Sequence, residues 1–444
     1  KLTASGSFPT NIKNQTYHFY KAEGTSYYCT DIDIPQSQTI ATNTTWENVS
    51  ITNKITIEDG AILAINGLIG CSDVDNLVIK EGGQLIHNNA GVKATLEKEI
   101  EGYGSTNESW YTISSPLMGN VALSDVESLI PTTNNYDLYR YDEPTSVWQN
   151  VKQSSNNFTN LENGRGYLYA NEYDATLSFA GELNGDDVTY HLSKTENIAL
   201  SGFHLIGNPF THNIYKGVGA AIDDNNLAAG YYTLSDAGAW GAKISDDIPI
   251  APGQGILVKT SKEGDVKIKK TNTQPSQKSN ADILAITVNN NEYEDKAFAV
   301  FEDGVALEKV NHQNQDVPMI YLPVDDANYA VAMLDDNIKD IPLSFKANTM
   351  GEYTITINSD NRGFEHIYLV DSQTGNVTNM LVDEYTFIAT TNDNPNRFVI
   401  KLYDVDSVNE IGDRENYIYI DNGDLVVGNI KGAALIDIYD ILGR

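Results

Sequence analysis

Basic residues are scarce in this chain of 444: 29 Lys and Arg stand against 61 Asp and Glu, giving a net charge of −32. A field of that sign repels phosphate backbones and anionic headgroups, which argues against nucleic acid and membrane surfaces as partners. No run of 18 apolar residues occurs, so no transmembrane segment is expected. Cysteine is nearly absent. Cys29 and Cys71 are too few for a disulfide scaffold and lack CxxC spacing, which leaves one disulfide or two buried thiols. No leader pattern opens the chain at Lys1-Leu2-Thr3, as is also true of a chain numbered from a mature end.

Catalytic signatures are lacking as well. There is no HExxH, GxSxG or GxxxxGK[ST]. His18, His87, His191, His204, His212, His312 and His366 are scattered, without metal-ligand spacing, and structural use is expected of each. With 61 acids, no carboxylate pair is singled out for glycoside hydrolysis. No enzyme is expected from this sequence.

What is present is strand material. The chain holds 26 Tyr and 34 Gly, is 41% hydrophobic, and is rich in Thr, Asn and Val runs separated by turn residues. That composition excludes a disordered acidic chain and predicts an all-β fold.

Repeats divide it. Ile55–Leu63 aligns with Leu77–Leu85 at an offset of 22, each copy turning at an acidic-Gly pair, Asp59-Gly60 or Glu81-Gly82. A period of that length predicts stacked coils, so residues 1–104 are read as an N-terminal β region with solenoid-like rungs, Trp46–Ile51 being a weak third rung. A longer repeat follows. Trp110-Tyr-Thr-Ile-Ser-Ser-Pro-Leu117 matches Phe203-His-Leu-Ile-Gly-Asn-Pro-Phe210, Tyr139 and Trp148 match Tyr231 and Trp240, and Gly164–Tyr169 matches Gly253–Val258. Leu177 and Phe179 likewise match Val266 and Ile268, so residues 105–270 are read as a duplicated β domain of two halves packed on each other. Residues 271–281 form a polar linker, 282–403 a β-sandwich of about seven short strands, and 405–415 a second linker. In the last piece, 416–444, Asn422-Gly423 between apolar runs signals a β-hairpin.

That last piece carries a family resemblance. Asn422-Gly-Asp-Leu-Val-Val-Gly-Asn followed by Ala434-Leu-Ile-Asp-Ile-Tyr-Asp-Ile-Leu-Gly-Arg444 resembles the C-terminal sorting domain of type IX secretion cargo from Bacteroidetes. The family pattern continues past the Gly443-Arg444 match, so the resemblance implies a partial sorting domain. The upstream "ISSPL", "LIGNPF" and "PGQGILVK" segments look like those of large surface proteins from the same bacteria. The resemblance implies contact with the secretion machinery and an extracellular or outer-membrane-surface location. Export in turn favours a Cys29–Cys71 disulfide over free thiols. Asp406-Ser407-Val408 resembles an O-glycosylation motif of these bacteria.

Two groups of residues are candidate binding sites. Trp148 and Trp240, at equivalent repeat positions beside Tyr139, Tyr231 and Tyr232, offer flat rings on which sugar faces stack, though burial is the commoner fate of such rings. A duplicated unit implies both tryptophans exposed or both buried. Among the acidic turns, Asp223, Asp224, Asn225 and Asn226 are the preferred calcium candidate, against a plain solvated turn. The expected function is that of a non-catalytic secreted or surface interaction protein, adhesin or structural module, binding a glycan or a protein on another cell or matrix. A carbohydrate-binding module of a larger secreted enzyme is the alternative.

Overall fold

The 22-residue apolar period becomes a stack of parallel coils. Ile55, Thr56 and Ile57 pair in register with Leu77, Val78 and Ile79, and Ile62–Ala64 with Gln84–Ile86. In this computed structural model, which describes residues 16–21, 27–33, 37–104, 109–126, 129, 135–223, 226–244, 248–275, 282–360, 363–403, 417–421 and 424–428, the chain is all-β. Gln38–Ile40, Thr44–Trp46 and Val49–Ile51 form the three sides of a first coil, so Trp46 and Val49–Ile51 are its second and third sides. Gly60 and Gly82, at φ +72° and +76°, make the left-handed corners that the acidic-Gly pairs signalled. Inward residues such as Ile55, Ile57, Leu63, Leu77, Ile79 and Leu85 are fully buried.

Lys93–Ile100 extends one side of the stack and then pairs antiparallel with Ala175–Glu182 of the next unit over eight residues. One apolar core therefore runs from Ile40 to Leu183, across the division read at 104. Thr211 closes the open edge of the last coil: its carbonyl accepts from Leu85 N at 2.8 Å and its hydroxyl donates to Leu85 O at 2.8 Å.

The duplication is visible in the topology. The first half-sheet orders its strands Tyr111–Ser114, Gly166–Asn171, Tyr136–Asp142, Val147–Asn150, and the second orders Phe203–Gly207, Gly255–Lys259, Tyr231–Leu234, Trp240–Lys243. Registers agree as well, with Ser114 opposite Gly166 and Gly207 opposite Gly255. The halves meet through reciprocal bonds, Ser114 N to Gly253 O at 3.0 Å and Gly207 N to Gly164 O at 2.9 Å.

Residues 282–403 build one 11-stranded sheet, nearly closed into a barrel, where about seven strands were expected. Met319–Val324 and Asp340–Lys346 were missed because Pro323 and Pro342 interrupt them. Each of these strands changes partner midway. Residues 319–321 pair with 344–346, 322–324 with 327–329, and 340–343 with 398–401, which turns the corner between two layers. Pro342 thus sits where its strand has no partner on the Met319–Val324 side. Tyr417–Asp421 and Asp424–Gly428 pair as the expected hairpin; the turn expected at Asn422-Gly423, the linker 405–415 and the segment 429–444 lie outside the described residues.

Cys71 corrects the disulfide expectation: it is a free, buried thiol, and its Sγ donates to the Asp73 carbonyl at 3.3 Å. In Ile69–Cys71 the period of two turns Cys71 into the coil interior, and burial pushes its pKa up. The Cys29 side chain lies outside the described residues.

Candidate functional site

Tyr139 and Tyr141 are two apart on one strand and share a face. Trp148 stands opposite Tyr141 in register, their rings 5.2 Å apart, and Trp110 lies 6.1 Å from Tyr139. In the second half, Leu257 pairs with Tyr232 as Leu168 pairs with Tyr139, and Trp240 stands opposite Leu234 as Trp148 stands opposite Tyr141. These two faces meet the outer face of the 11-stranded sheet at Phe298, Val300, Ala330 and Val331, forming an aromatic-rich core at the junction of three sheets.

That core opens in two adjoining cavities. One, of about 470 Å³, is lined by Trp148, Tyr141, Trp240, Leu200, His312 and Gln313. The other, of about 700 Å³, is lined by Trp110, Tyr103, Asp137, Gln313, Asn314 and Asp316. Both volumes fall in the range of small-molecule sites. They share Gln313, so the amide-rich loop 311–316 runs between them.

The lip beside Trp148 is held rigidly. The Glu143 carboxylate accepts from Ser193 Oγ, Thr195 N, Thr195 Oγ1 and Gly202 N at 2.8 to 3.0 Å, fixing the loop 193–202. Burial alone would raise the Glu143 carboxyl, but these bonds hold it below its ordinary value. Within the loop Asn197 and Leu200 take positive φ, 61° and 51°, a strain the surrounding bonds maintain.

The floor is held by a buried ion pair. Lys309 Nζ lies 2.6 Å from Asp295 Oδ1, both side chains are at most 2% exposed, and Ile320 N donates to Asp295 Oδ2 at 2.7 Å. Burial alone would raise the Asp295 carboxyl; Lys309 and His312 keep it below the usual carboxylate range. His312 Nδ1 accepts the Trp240 N–H at 3.0 Å and its Nε2 faces Asp295 Oδ1 at 3.6 Å. Both ring nitrogens of His312 are thus directed into the protein, and the ring orients the wall.

Of the sequence candidates, Trp148 is half-buried on the groove, Trp240 is 2% exposed beside it, and Tyr139 packs beneath Trp110. The tryptophans therefore differ in exposure, against the expectation of equal fates. Both tryptophans lie on the last strand of their half-sheet; the outer sheet packs over Trp240 and seals it, while Trp148 is left partly open on the cavity. Tyr232 is fully buried and donates to Glu308 O at 2.7 Å. Tyr231 is a correction: as neighbour of Tyr232 it points to the opposite face, into a separate core, and the counterpart of Tyr139 is Tyr232.

Of the calcium candidate, only Asp223 and Asn226 are among the described residues. Asp223 accepts from Gly219 N at 3.0 Å and stands 3.6 Å from Lys269 Nζ, and Asn226 gives its carbonyl to Ser261, while Asp224 and Asn225 lie outside the described residues. Among the described residues no group of three or more His, Cys, Asp or Glu is placed to hold a metal ion. Sequence reasoning missed Trp110, Asp137, Lys309, Asp295 and the loop at Gln313; the amide run Asn311-His-Gln-Asn-Gln315 was the available signal.

Fold and groove define an all-β chain of several packed units with an aromatic, amide-lined groove at their junction. A family model described as a domain of unknown function, DUF8693, matches residues 311–402, which begin at the groove loop and run through the later strands of the barrel-like sheet. No curated protein and no solved structure matches the chain.

Proposed function

We propose that this chain is a non-catalytic interaction protein of the cell exterior, adhesin or structural module, which binds through the groove around Gln313. The groove itself carries the reading: its walls are aromatic, its loop supplies neutral amides, Lys309 is paired with Asp295, and His312 Nδ1 accepts the Trp240 backbone N–H. Such a surface binds a polar partner, and no Ser, Thr or Cys nucleophile is among the residues that line the two cavities. The resemblance of the 422–444 segment to type IX sorting domains, with its paired hairpin, supports export by that route and delivery to the surface. The half-buried ring of Trp148 supports the second reading, a carbohydrate-binding module of a larger secreted enzyme.

Two measurements test this. Protease applied to intact source cells should remove the protein from their surface, and deletion of residues 416–444 from the parent should abolish that delivery. Purified chain should bind cells, matrix proteins or glycans while releasing no reducing sugar or peptide. Turnover of either substrate, or normal delivery after the deletion, overturns the corresponding half of the proposal.

A further inference from the structure

We infer that the groove takes a linear, neutral oligosaccharide, laid across Gln313 with one aromatic subsite at Trp148 and another at Trp110. This rests on the proposed binding role of the groove and names its ligand class.

Four rings mark the path. Trp110 lies 6.1 Å from Tyr139, Tyr139 and Tyr141 are two strand residues apart at about 7 Å, and Tyr141 lies 5.2 Å from Trp148. The row steps along one strand and then across to the next, its inner rings packed into the core, and its two ends, Trp110 and Trp148, each line a cavity. An extended chain fits this shape better than a compact ligand. Aromatic rings cover the C–H face of a sugar, and side-chain amides donate and accept together, as sugar hydroxyls do. Asn311, Gln313, Asn314 and Gln315 supply such amides along the loop.

Charge selects within the class. The cation on the groove, Lys309, is bonded to both oxygens of Asp295, so it offers no free charge to a carboxylate or sulfate. Asp137, paired with Lys152 at 3.2 Å, and Asp316 line the second cavity, and the chain carries −32 overall. Uronate or sulfated chains therefore meet net repulsion, since Lys309 and Lys152 are each already paired with a carboxylate, while neutral chains do not. The lip beside Trp148, fixed by four bonds to Glu143, is formed before binding, which reduces the ordering cost of association.

Titration calorimetry with neutral linear gluco- and chito-oligosaccharides of increasing length, and with oligogalacturonate, tests the inference. Affinity should rise with length until both subsites fill, and oligogalacturonate should bind at least tenfold more weakly. Trp148→Ala and Trp110→Ala should each lower affinity for the longest neutral chain at least tenfold, and a disaccharide should respond to only one of them. Trp148→Phe, which keeps a ring, should retain most of the affinity and guards against a folding defect in the alanine variant. The inference is overturned by no binding of any neutral chain, by equal affinity for short and long chains, by preference for the uronate, or by indifference to both tryptophans. Capture of a protein partner without any glycan binding removes this inference and leaves the binding role standing, whereas hydrolysis of the oligosaccharide removes the non-catalytic reading.

Discussion

A β-carbon placed on Gly255 would stand 3.2 Å from the α-carbon of Gly166, its counterpart in the other half of the duplicated unit. The two half-sheets cross at this point, and the reciprocal bonds of Ser114 and Gly207 flank it. A β-carbon on Gly166 would meet Ile206 O at 2.8 Å, and one on Gly207 would meet Ser114 Cβ at 2.2 Å. Gly166→Ala and Gly207→Ala should each cost about 1–3 kcal/mol in urea unfolding, because backbone must move to admit a methyl group. Gly70→Ala, with nothing within 4 Å of its added carbon, should change stability by less than about 0.5 kcal/mol. Equal effects at the three positions would show that the halves do not cross there.

The repeats were legible because both impose in-register pairing: an offset of 22 becomes Ile55 opposite Leu77, and the matched Gly166 and Gly255 hold matched registers. The pairing of Tyr139 with Tyr231 failed by one residue, since the second hairpin is a residue shorter and only strand register shows which tyrosine shares the face of Trp240. The groove was half legible. Its aromatic wall lies within the repeat, but Lys309, His312 and Gln313 reach it from the neighbouring sheet, and contact between units leaves no local period.

Glu143 should behave as the anchor of the 193–202 lip. Glu143→Met removes the acceptor of both N–H groups and both hydroxyls, and a loss of about 3 kcal/mol is expected. Amide exchange at Thr195 and Gly202 should speed up in the variant, since both N–H groups donate to the carboxylate. Unchanged exchange at these two amides would contradict the anchoring role.

Acid should destabilise the contact between the coil stack and the second half through two buried imidazoles. Burial, aided by the nearby Lys270 charge, lowers His87 to about 3 and His212 to about 4. Both lie below the unfolded value of 6.5, so the unfolded chain binds more protons as the pH drops. Their contribution is complete above about pH 6.5 and is lost as the pH falls toward 4 and then 3, by up to about 2.7 kcal/mol per pH unit while both differ. His87→Gln and His212→Phe should each flatten the decline of the urea midpoint between pH 6.5 and 4.5. Parallel curves for wild type and variants would exclude the mechanism.

Cys71 should resist alkylation in the folded protein and react once it is unfolded without reductant, because its thiol is free and lies inside the coil. Peptide mapping after labelling in denaturant reads the result directly. A Cys29–Cys71 linked peptide in the unreduced digest would restore the disulfide and require the Cys71 side chain to turn away from Asp73.

Asp295 and Lys309 should be worth more as a pair than either alone. Each is buried, so removing one leaves the other charged and without its counter-ion, a loss of about 3–5 kcal/mol for Asp295→Asn or Lys309→Met. Replacing both by leucine removes the two desolvation costs together, and the double variant should be more stable than either single one. The pair also seats the start of the groove loop, because Lys309 precedes the Val310-Asn311-His312 segment, whose imidazole receives the Trp240 N–H. Amide exchange at Trp240 should therefore quicken in both single variants and in the double one, even where the double variant recovers its stability. Recovery of stability with a slow Trp240 amide would mean that His312 is held by packing alone, and the ion pair would then have no part in shaping the groove.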